Sequence, residues 1–220
     1  MSDPPLKAAI IPVTPLQQNC SLIWCTKTVR GAFVDPGGDL PRLKAAATQA
    51  GVAIEKILLT HGHIDHCGQA GILAEELGVP IEGPHEDDLF WIDKLGTEGP
   101  KYGIAGKPFE PARWLADGDQ VTVGELTLNV AHCPGHTPGH IIFFHREARF
   151  AQVGDVLFQG SIGRTDFPRG SYQDLIEAIT KKLWPLGEDV RFVPGHGPMS
   201  TFGQERKTNP FVADMVLADD

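Results

Sequence analysis

The chain has 220 residues, of which 41% are hydrophobic, and its formal net charge is −9. This length predicts one catalytic domain, residues 1–220, with a substantial buried core. The acidic balance, without a run of Lys or Arg, disfavours nucleic acids and anionic membranes as partners, because both require a basic surface. Residues 1–5 lack the pattern of a secretory signal and no apolar stretch reaches the ~18 residues of a membrane span, so we expect a cytoplasmic protein.

The four cysteines are expected to be buried thiols. Cys20, Cys25, Cys67 and Cys133 show no Cys-x-x-Cys spacing, and a chain of this size in a reducing compartment does not need disulfides. Cys67 and Cys133 each stand near predicted metal ligands, but the His and Asp set described below is complete without them.

The first 51 residues predict three antiparallel strands followed by a helix. The β-rich runs occupy residues 7–13, 19–26 and 31–34. Asp39 stands where it can cap the helix, Pro41 lies in the first helical turn, and Gly51 ends the helix.

A cluster of ligand-type side chains follows the apolar run at residues 54–59. Residues two apart in an extended chain point the same way, so His61 and His63 are predicted to face one spot. Asp65 and His66 lie where the chain must turn, which lets them reach a second spot close by. Such side chains suit divalent metals that favour imidazole. The His-x-His-x-Asp-His pattern therefore indicates a metal site, and a histidine-rich polar loop is the weaker interpretation.

Two helices and a long loop are predicted next. Residues 69–77 and 84–95 have helical patterns, and His85 is interpreted as a solvated residue at the start of the second helix. Residues 96–111 hold four glycines and three prolines, which predicts a loop. Because loops of this length are often functional, we expect this one to cover part of the active-site mouth, with Tyr102 contacting the substrate.

A second group of strands follows, and three of them end near a His or Asp. The strands are predicted at residues 120–123, 126–131, 141–145, 149–153 and 190–193. His136, Asp155 and His196 each follow a hydrophobic run that breaks at Gly or Pro, which is typical of a strand ending in a loop. Ser171 is expected to cap a helix that continues to Leu183.

The ligand motif, together with the segments around these three residues, resembles the metallo-β-lactamase superfamily. Within it, the phrases Cys133-Pro134-Gly135-His136 and Pro194-Gly195-His196-Gly197 look most like the glyoxalase II branch of thioester hydrolases. The resemblance extends from about residue 13 to about residue 211. It implies an α/β fold, the four-layer αββα sandwich, and the two β-rich halves with helices between them agree with that fold.

The resemblance further implies two divalent metal ions, with zinc expected first and iron or manganese also suitable. One ion would be held by His61, His63 and His136, and the other by Asp65, His66 and His196. Asp155 would bridge the two ions, and Asp65 and Asp155 are the expected catalytic carboxylates. A residue like His140 lies behind the ligands in the family and could orient one of them. The implied nucleophile is a metal-bridging hydroxide, with the substrate carbonyl polarised by the metals.

One alternative within the superfamily remains open. The mononuclear iron persulfide dioxygenases share the His-x-His-x-Asp-His phrase, and residues 163–167 look much like theirs. Those enzymes hold one iron with two His and one Asp. The segment around His196 looks instead like the hydrolase version, which favours a hydrolase. A β-lactamase is less favoured because the chain shows no export signal.

The expected function is hydrolysis of S-lactoylglutathione or related thioesters. In glyoxalase II a helical C-terminal domain after the last ligand helps to hold glutathione, whereas only 24 residues follow His196 here. The short C-terminal segment is therefore expected to lack that domain. Arg164 stands where the family has a basic residue and is predicted to meet the anionic substrate. The expected partner is a small, glutathione-derived thioester, and the expected assembly is a monomer or small homo-oligomer.

Overall fold

The computed structural model, which describes residues 4–218, contains two large β-sheets packed face to face. The first sheet has the strand order β1-β2-β3-β4-β5. Its strands are β1 (Leu6–Val13), β2 (Gln18–Cys25), β3 (Arg30–Val34), β4 (Ala53–Leu58) and β5 (Ile81–Glu82). The first three strands are antiparallel, as predicted, and β3, β4 and β5 are parallel.

The second sheet follows in the chain and is mostly antiparallel. The remaining strands are β6 (Gln120–Val123), β7 (Leu126–His132), β8 (Ile141–His145), β9 (Phe150–Gly154), β10 (Leu157–Phe158), β11 (Ser161–Ile162), β12 (Arg191–Pro194) and β13 (Ser200–Thr201). Six of them form the sheet in the order β13-β12-β9-β8-β7-β6, in which only β9 and β12 run parallel, among the described residues. Strands β10 and β11 form a separate hairpin.

Eight short helices connect or flank the sheets in the described part of the chain. They are α1 (Leu40–Ala50), α2 (Ile64–Cys67), α3 (Ala70–Leu77), α4 (Leu89–Ile92), α5 (Leu95–Tyr102), α6 (Tyr172–Ala178), α7 (Phe202–Thr208) and α8 (Asp214–Leu217). Helix α6 continues into a π-helical turn, Ile179–Leu183, and its N-cap is Ser171, whose side chain accepts from the Asp174 backbone N–H as predicted. Between residues 4 and 218, no helix has both the length and the apolar character needed to cross a membrane.

Side-chain alternation along the strands produces the four layers. Successive side chains of a strand point to opposite faces, so a strand with apolar residues at every position is covered on both sides. In β8, Ile141 and Phe143 enter the core between the sheets, whereas Ile142 and Phe144 pack under α6. In β2, Leu22 packs under α1 and α3. The order of layers is helix, sheet, sheet, helix, which confirms the predicted αββα sandwich.

The structure corrects the prediction for residues 84–111. The predicted helix at 84–95 is a short 3-10 turn, Glu86–Asp88, followed by α4. The predicted loop at 96–111 begins instead with α5, which contains Pro100. Proline and glycine have low helix propensity, but Leu95 and Gly99 are buried, so tertiary packing outweighs that propensity here.

Asp39 stands at the predicted N-terminal end of α1, but its side chain does not cap the helix. Asp39 is the N-cap residue of α1, but its side chain makes no capping hydrogen bond. Its carboxylate instead accepts from the backbone N–H of Thr14 at 2.8 Å. The four cysteines are buried and unpaired, as predicted.

A close backbone approach joins the end of β3 to α2. Gly37 follows β3, and a Cβ atom built on it would lie 1.5 Å from the carbonyl oxygen of Asp65. No side chain can occupy that space without displacing the helix that carries Asp65. The contact therefore fixes the predicted ligand motif against the first sheet.

The substitution Gly37→Ala is expected to destabilise the protein because the added methyl group must displace the Asp65 backbone. Overpacking of this kind costs about 1–3 kcal/mol, which corresponds to a fall in Tm of roughly 3–10 °C for a chain of this size. Thermal unfolding followed by circular dichroism measures the shift. The matched control is Gly96→Ala, where the nearest atom would be 3.7 Å away. Equal Tm values for the two variants would contradict the close approach.

Candidate metal centre

The predicted ligand motif lies between β4 and α2. After β4 the chain continues extended through His61 to His63, which is the N-cap residue of α2 with φ −71° and ψ 149°. Asp65 and His66 fall within α2, so the chain changes from extended to helical between the two pairs of side chains. This change of geometry sends the pairs to two neighbouring positions, as the sequence predicted.

Three imidazoles meet at the first position. His63 Nδ1 lies 3.2 Å from His61 Nε2 and 3.0 Å from His136 Nε2. Nitrogens about 2.0–2.1 Å from a tetrahedral zinc ion would be about 3.3 Å apart, so the observed spacing is that of ligands around one ion. His136 comes from the loop after β7, on the second sheet.

A carboxylate and two imidazoles meet at the second position. Asp65 Oδ2 lies 3.1 Å from His196 Nε2 and 3.8 Å from His66 Nε2. His196 follows β12 and is 30% exposed, whereas the His66 side chain is fully buried. The second group therefore reaches the surface through His196.

The Asp155 carboxylate contacts both groups. Its Oδ2 lies 3.5 Å from His136 Nε2 and 3.8 Å from His196 Nε2, and its Oδ1 lies 3.3 Å from His66 Nε2. Gly195 makes this arrangement possible, because a Cβ atom there would lie 1.9 Å from Asp155 Oδ1. The seven predicted ligands are thus brought together at the ends of β4, β7, β9 and β12.

Burial and neighbouring charges set the protonation of these groups. Burial alone would raise the pKa of Asp155, but His66 and His136 outweigh it and the pKa lies well below its ordinary value. Burial, with repulsion from His136, lowers the pKa of His63 to about 3. Burial would also lower the pKa of His66, but Asp155 and Asp65 raise it well above its ordinary value. His63 is therefore neutral near pH 7, which is the form of imidazole that binds metals.

The donor set fits two divalent ions. Buried polar atoms are normally satisfied by hydrogen bonds, yet His66 Nε2 and Asp155 Oδ1 have no hydrogen-bond partner among the described residues. The two atoms lie 3.3 Å from each other without forming a hydrogen bond. Imidazole nitrogens and carboxylate oxygens at these spacings are ligands for zinc, and they also suit iron and manganese.

Asp35 orients the ligand motif from behind, a contact that was not predicted from the sequence. Its carboxylate accepts from the Thr60 backbone N–H at 2.7 Å, the Thr60 hydroxyl at 2.6 Å and His66 Nδ1 at 2.9 Å. The hydrogen bond to Nδ1 leaves His66 Nε2 directed at the second group. A signal was present, because Asp35 follows β3 directly and β3 runs parallel to β4, whose end carries the ligands.

Asp88 connects the two loops that hold the first group and was also not predicted. Its fully buried carboxylate accepts from the backbone N–H groups of Gly62 and Gly139 at 2.8 and 2.6 Å and from the Thr137 hydroxyl at 2.8 Å. Burial raises its pKa to about 6 despite these hydrogen bonds. The sequence concealed this role, because Asp88 ends an acidic run that resembles the start of a helix.

Backbone contacts position the remaining side chains. His136 Nδ1 donates to the backbone carbonyl oxygen of Arg164 at 2.8 Å, which directs its Nε2 at the first group. His140 Nε2 accepts from the backbone N–H of Asp155 at 3.0 Å, and its ring stacks on that of His61 at 4.6 Å. His140 therefore contacts Asp155 through the backbone.

A cavity of about 740 Å³ opens in front of the two groups. Trp91 and Phe167 form its wall next to His63, with ring centroids 4.6 and 4.7 Å from that imidazole. Tyr102 and Arg164, the predicted substrate contacts, also line the cavity. The aromatic residues carried no recognisable signal in the sequence, since isolated aromatic side chains usually belong to the core.

Comparison with known proteins agrees with this arrangement. The sequence model of the Metallo-beta-lactamase superfamily matches residues 13–196. Hydroxyacylglutathione hydrolase GloC of Haemophilus influenzae is 45% identical over 205 residues, which cover 92% of this chain and 96% of the relative.

Two solved structures extend the comparison to the fold. BLEG-1, a B3 metallo-beta-lactamase, has a TM-score of 0.86 and 32% identity and covers 94% of this chain and 99% of its own. TTHA1623, solved in a di-iron-bound form, has a TM-score of 0.84 and 35% identity and covers 93% of this chain and 100% of its own. Because the family model spans most of the sequence and a relative of 45% identity matches along nearly its whole length, the chain belongs to the metallo-β-lactamase superfamily, in its glyoxalase II-like branch.

Proposed function

We propose that the protein is a metal-dependent thioester hydrolase that cleaves S-lactoylglutathione or related thioesters. The observation that carries this proposal is the position of Asp155, which contacts both groups of metal-ligating side chains at the base of an open cavity. A single carboxylate between two ligand groups is what a two-metal hydrolytic site requires. The two proposed ions are divalent, with zinc expected first and iron or manganese as alternatives.

The substrate class is supported by the relative GloC, which is named a hydroxyacylglutathione hydrolase and shares 45% identity with this chain. The proposed ligands are His61, His63 and His136 for one ion and Asp65, His66 and His196 for the other, with Asp155 shared. Tyr102 and Arg164 line the cavity and are the proposed substrate contacts.

Bound divalent ions would lower the pKa of a water molecule toward about 7 and polarise the thioester carbonyl. The chain's own residues prepare the site for that chemistry. Two divalent ions would bring four positive charges, whereas Asp65 and Asp155 bring two negative charges and metal-bound neutral imidazoles bring none. The base of the cavity would therefore be cationic when the ions are bound. Trp91 and Phe167 contact His63 and give that side of the cavity an apolar wall. Electrostatic interactions are stronger beside apolar groups than in bulk water.

The alternative function, a mononuclear iron persulfide dioxygenase, is less favoured. A site with one iron would use two His and one Asp and would leave most of the seven clustered side chains without an ion. Two complete groups that share Asp155 support the dinuclear hydrolase instead. The 32% identity with BLEG-1, which is named a metallo-beta-lactamase, makes a β-lactam the other substrate to include in an assay.

We further propose a cytoplasmic protein that acts on a small molecule as a monomer or small homo-oligomer. Four buried and unpaired cysteines support a reducing compartment, where thiols persist. A cytoplasmic location also agrees with a glutathione-derived substrate.

The variant Asp155→Ala is expected to lose thioester hydrolysis by at least about a hundredfold, because a shared metal ligand supports a transition-state interaction of several kcal/mol. Metal analysis by mass spectrometry should give close to two ions per chain in the wild type and fewer in the variant. Asp214→Ala is the control, since Asp214 is 61% exposed and pairs with Arg206. Full activity of Asp155→Ala would refute the assignment.

The hydrolase and dioxygenase functions differ in their need for oxygen. We expect S-lactoylglutathione to be hydrolysed at the same rate with and without oxygen, because hydrolysis consumes only water. Glutathione persulfide should cause little oxygen uptake in an oxygen-electrode assay, and nitrocefin should be a poor substrate. Rapid oxygen uptake by a protein with one iron per chain would instead establish the dioxygenase.

The variant Asp88→Asn is expected to weaken metal binding by about 10- to 100-fold, which is the usual effect of disturbing a partner behind the ligands. Asn keeps one acceptor oxygen, so its new NH₂ group would face the backbone N–H of either Gly62 or Gly139. Competition with a fluorescent chelator measures the affinity. Asp87→Asn is a matched control, because the Asp87 side chain is 54% exposed and its carboxylate pairs with His85 at 3.2 Å. Identical affinities in the two variants would contradict this positioning role.

A further inference from the structure

The cationic side chains at the mouth of the cavity differ in how far their charge is neutralised. The cavity lining includes two basic residues, Lys94 and Arg164, and one acidic residue at the rim, Glu98. Glu98 pairs with Lys101 at 2.8 Å. Arg164 forms two hydrogen bonds with the Asp166 carboxylate, at 2.9 and 2.7 Å. The charges of Glu98 and Arg164 are therefore largely offset by neighbours.

Lys94 has no such counter-charge. Its amine has no carboxylate partner within residues 4–218 and lies over two aromatic rings, 5.2 Å from the centroid of Phe90 and 5.4 Å from that of Trp91. A cation over an aromatic face is attracted by the ring's quadrupole, which keeps the charge but fixes its position. Lys94 thus presents an unneutralised positive charge to the cavity of a protein whose net charge is −9.

A second cation shares the Phe90 ring. The Arg169 guanidinium lies 4.3 Å from the centroid of Phe90 and, among the described residues, has no carboxylate partner. Arg169 is not among the residues that line the cavity, whereas Lys94 is. Lys94 is therefore the cation on this ring that an anion in the cavity can reach.

We propose that Lys94 forms an anion subsite that binds a carboxylate of the thiol portion of the substrate. This proposal rests on the proposed thioester hydrolase function and adds a residue that selects the leaving group. Lys94 does not belong to the metal-ligating groups and was not predicted from the sequence.

The position of Trp91 assigns the subsite to the thiol side of the thioester. The same indole ring contacts His63 on one side, at 4.6 Å, and supports Lys94 at 5.4 Å. The thioester carbonyl must reach the metal-ligating groups, so a carboxylate at Lys94 lies one aromatic ring away from the reacting bond. The lactoyl group has no carboxylate, whereas a peptide thiol such as glutathione carries carboxylates remote from its sulfur. The subsite therefore recognises the leaving thiol and not the acyl group.

The test compares two thioesters that share the lactoyl group. S-lactoylglutathione carries carboxylates, and S-lactoyl-N-acetylcysteamine is neutral. We expect Lys94→Gln to raise the KM for S-lactoylglutathione about three- to tenfold, which is the size of a partly exposed ion pair. The kcat should change little, because the contact holds substrate and transition state equally. The KM for the neutral thioester should not change.

Two control variants remove the same charge elsewhere. Lys181→Gln and Arg206→Gln remove cations that pair with Glu177 and Asp214, outside the cavity lining. They change the net charge as Lys94→Gln does, so an effect shared by all three variants is a long-range effect and overturns the subsite. The subsite is also overturned if Lys94→Gln raises the KM of both thioesters equally. It is overturned as well if Arg164→Gln weakens binding of the glutathione thioester and Lys94→Gln does not.

A binding measurement separates the subsite from the hydrolytic activity. S-methylglutathione is a thioether that cannot be hydrolysed, and calorimetry with the metal-loaded protein gives its affinity. We expect weaker binding to Lys94→Gln than to Lys181→Gln, and a smaller effect of added salt in Lys94→Gln than in the wild type. If the wild type hydrolyses neither thioester but this difference persists, the hydrolase proposal fails and the subsite stands. If hydrolysis occurs and the difference is missing, the subsite fails and the hydrolase stands.

Discussion

The buried carboxylate of Asp155 imposes the strongest physical demand on this structure. An ionised carboxyl group removed from water must be paired or bound to metal, since an isolated buried charge would be very costly. Here the pairing comes from imidazoles of both ligand groups, at 3.3–3.8 Å. Asp35 and Asp88, which lie behind the ligands, are also buried carboxylates. Each accepts hydrogen bonds from the segments that carry the ligands. The centre is therefore a set of mutually compensating charges that the surrounding backbone holds in place.

The four-layer fold supplies the positions at which those charges meet. Strands that are apolar on both faces are fixed between a helical layer and the opposite sheet, so only their ends are free to present polar groups. The ligands occupy such ends, after β4, β7, β9 and β12. The glycine contacts at Gly37 and Gly195 then allow backbone segments to approach more closely than any side chain would permit. The strand ends and the close backbone contacts together determine where the candidate ligands lie.

Local patterns predicted the strands and the motif that contains His61, His63, Asp65 and His66. The resemblance to the family added His136, Asp155 and His196, which follow hydrophobic runs that break at Gly or Pro. Local patterns failed where long-range packing decides the outcome. Helix α5 forms despite Pro100 because Leu95 and Gly99 are buried. Asp88 is an exposed helix-start residue by sequence pattern, but its carboxylate is buried by contacts with Gly62 and Gly139, far away in the chain. The cations on Phe90 were not predicted for the same reason, since Arg169 meets that ring only in the folded protein.

The origin of the ligands in two different sheets has a consequence for folding. His61 and His63 follow a strand of the first sheet, while His136 follows a strand of the second, and the other group likewise joins Asp65 and His66 to His196. An ion in either group would cross-link the two sheets much as a disulfide cross-links two segments. An ion that binds only the folded chain raises the free energy of unfolding. The gain would be about 2.7 kcal/mol at a free metal concentration of about 100 Kd, so the metal supply would affect how firmly the two sheets stay together. The centre would then act as a clamp on the sandwich as well as a place for chemistry.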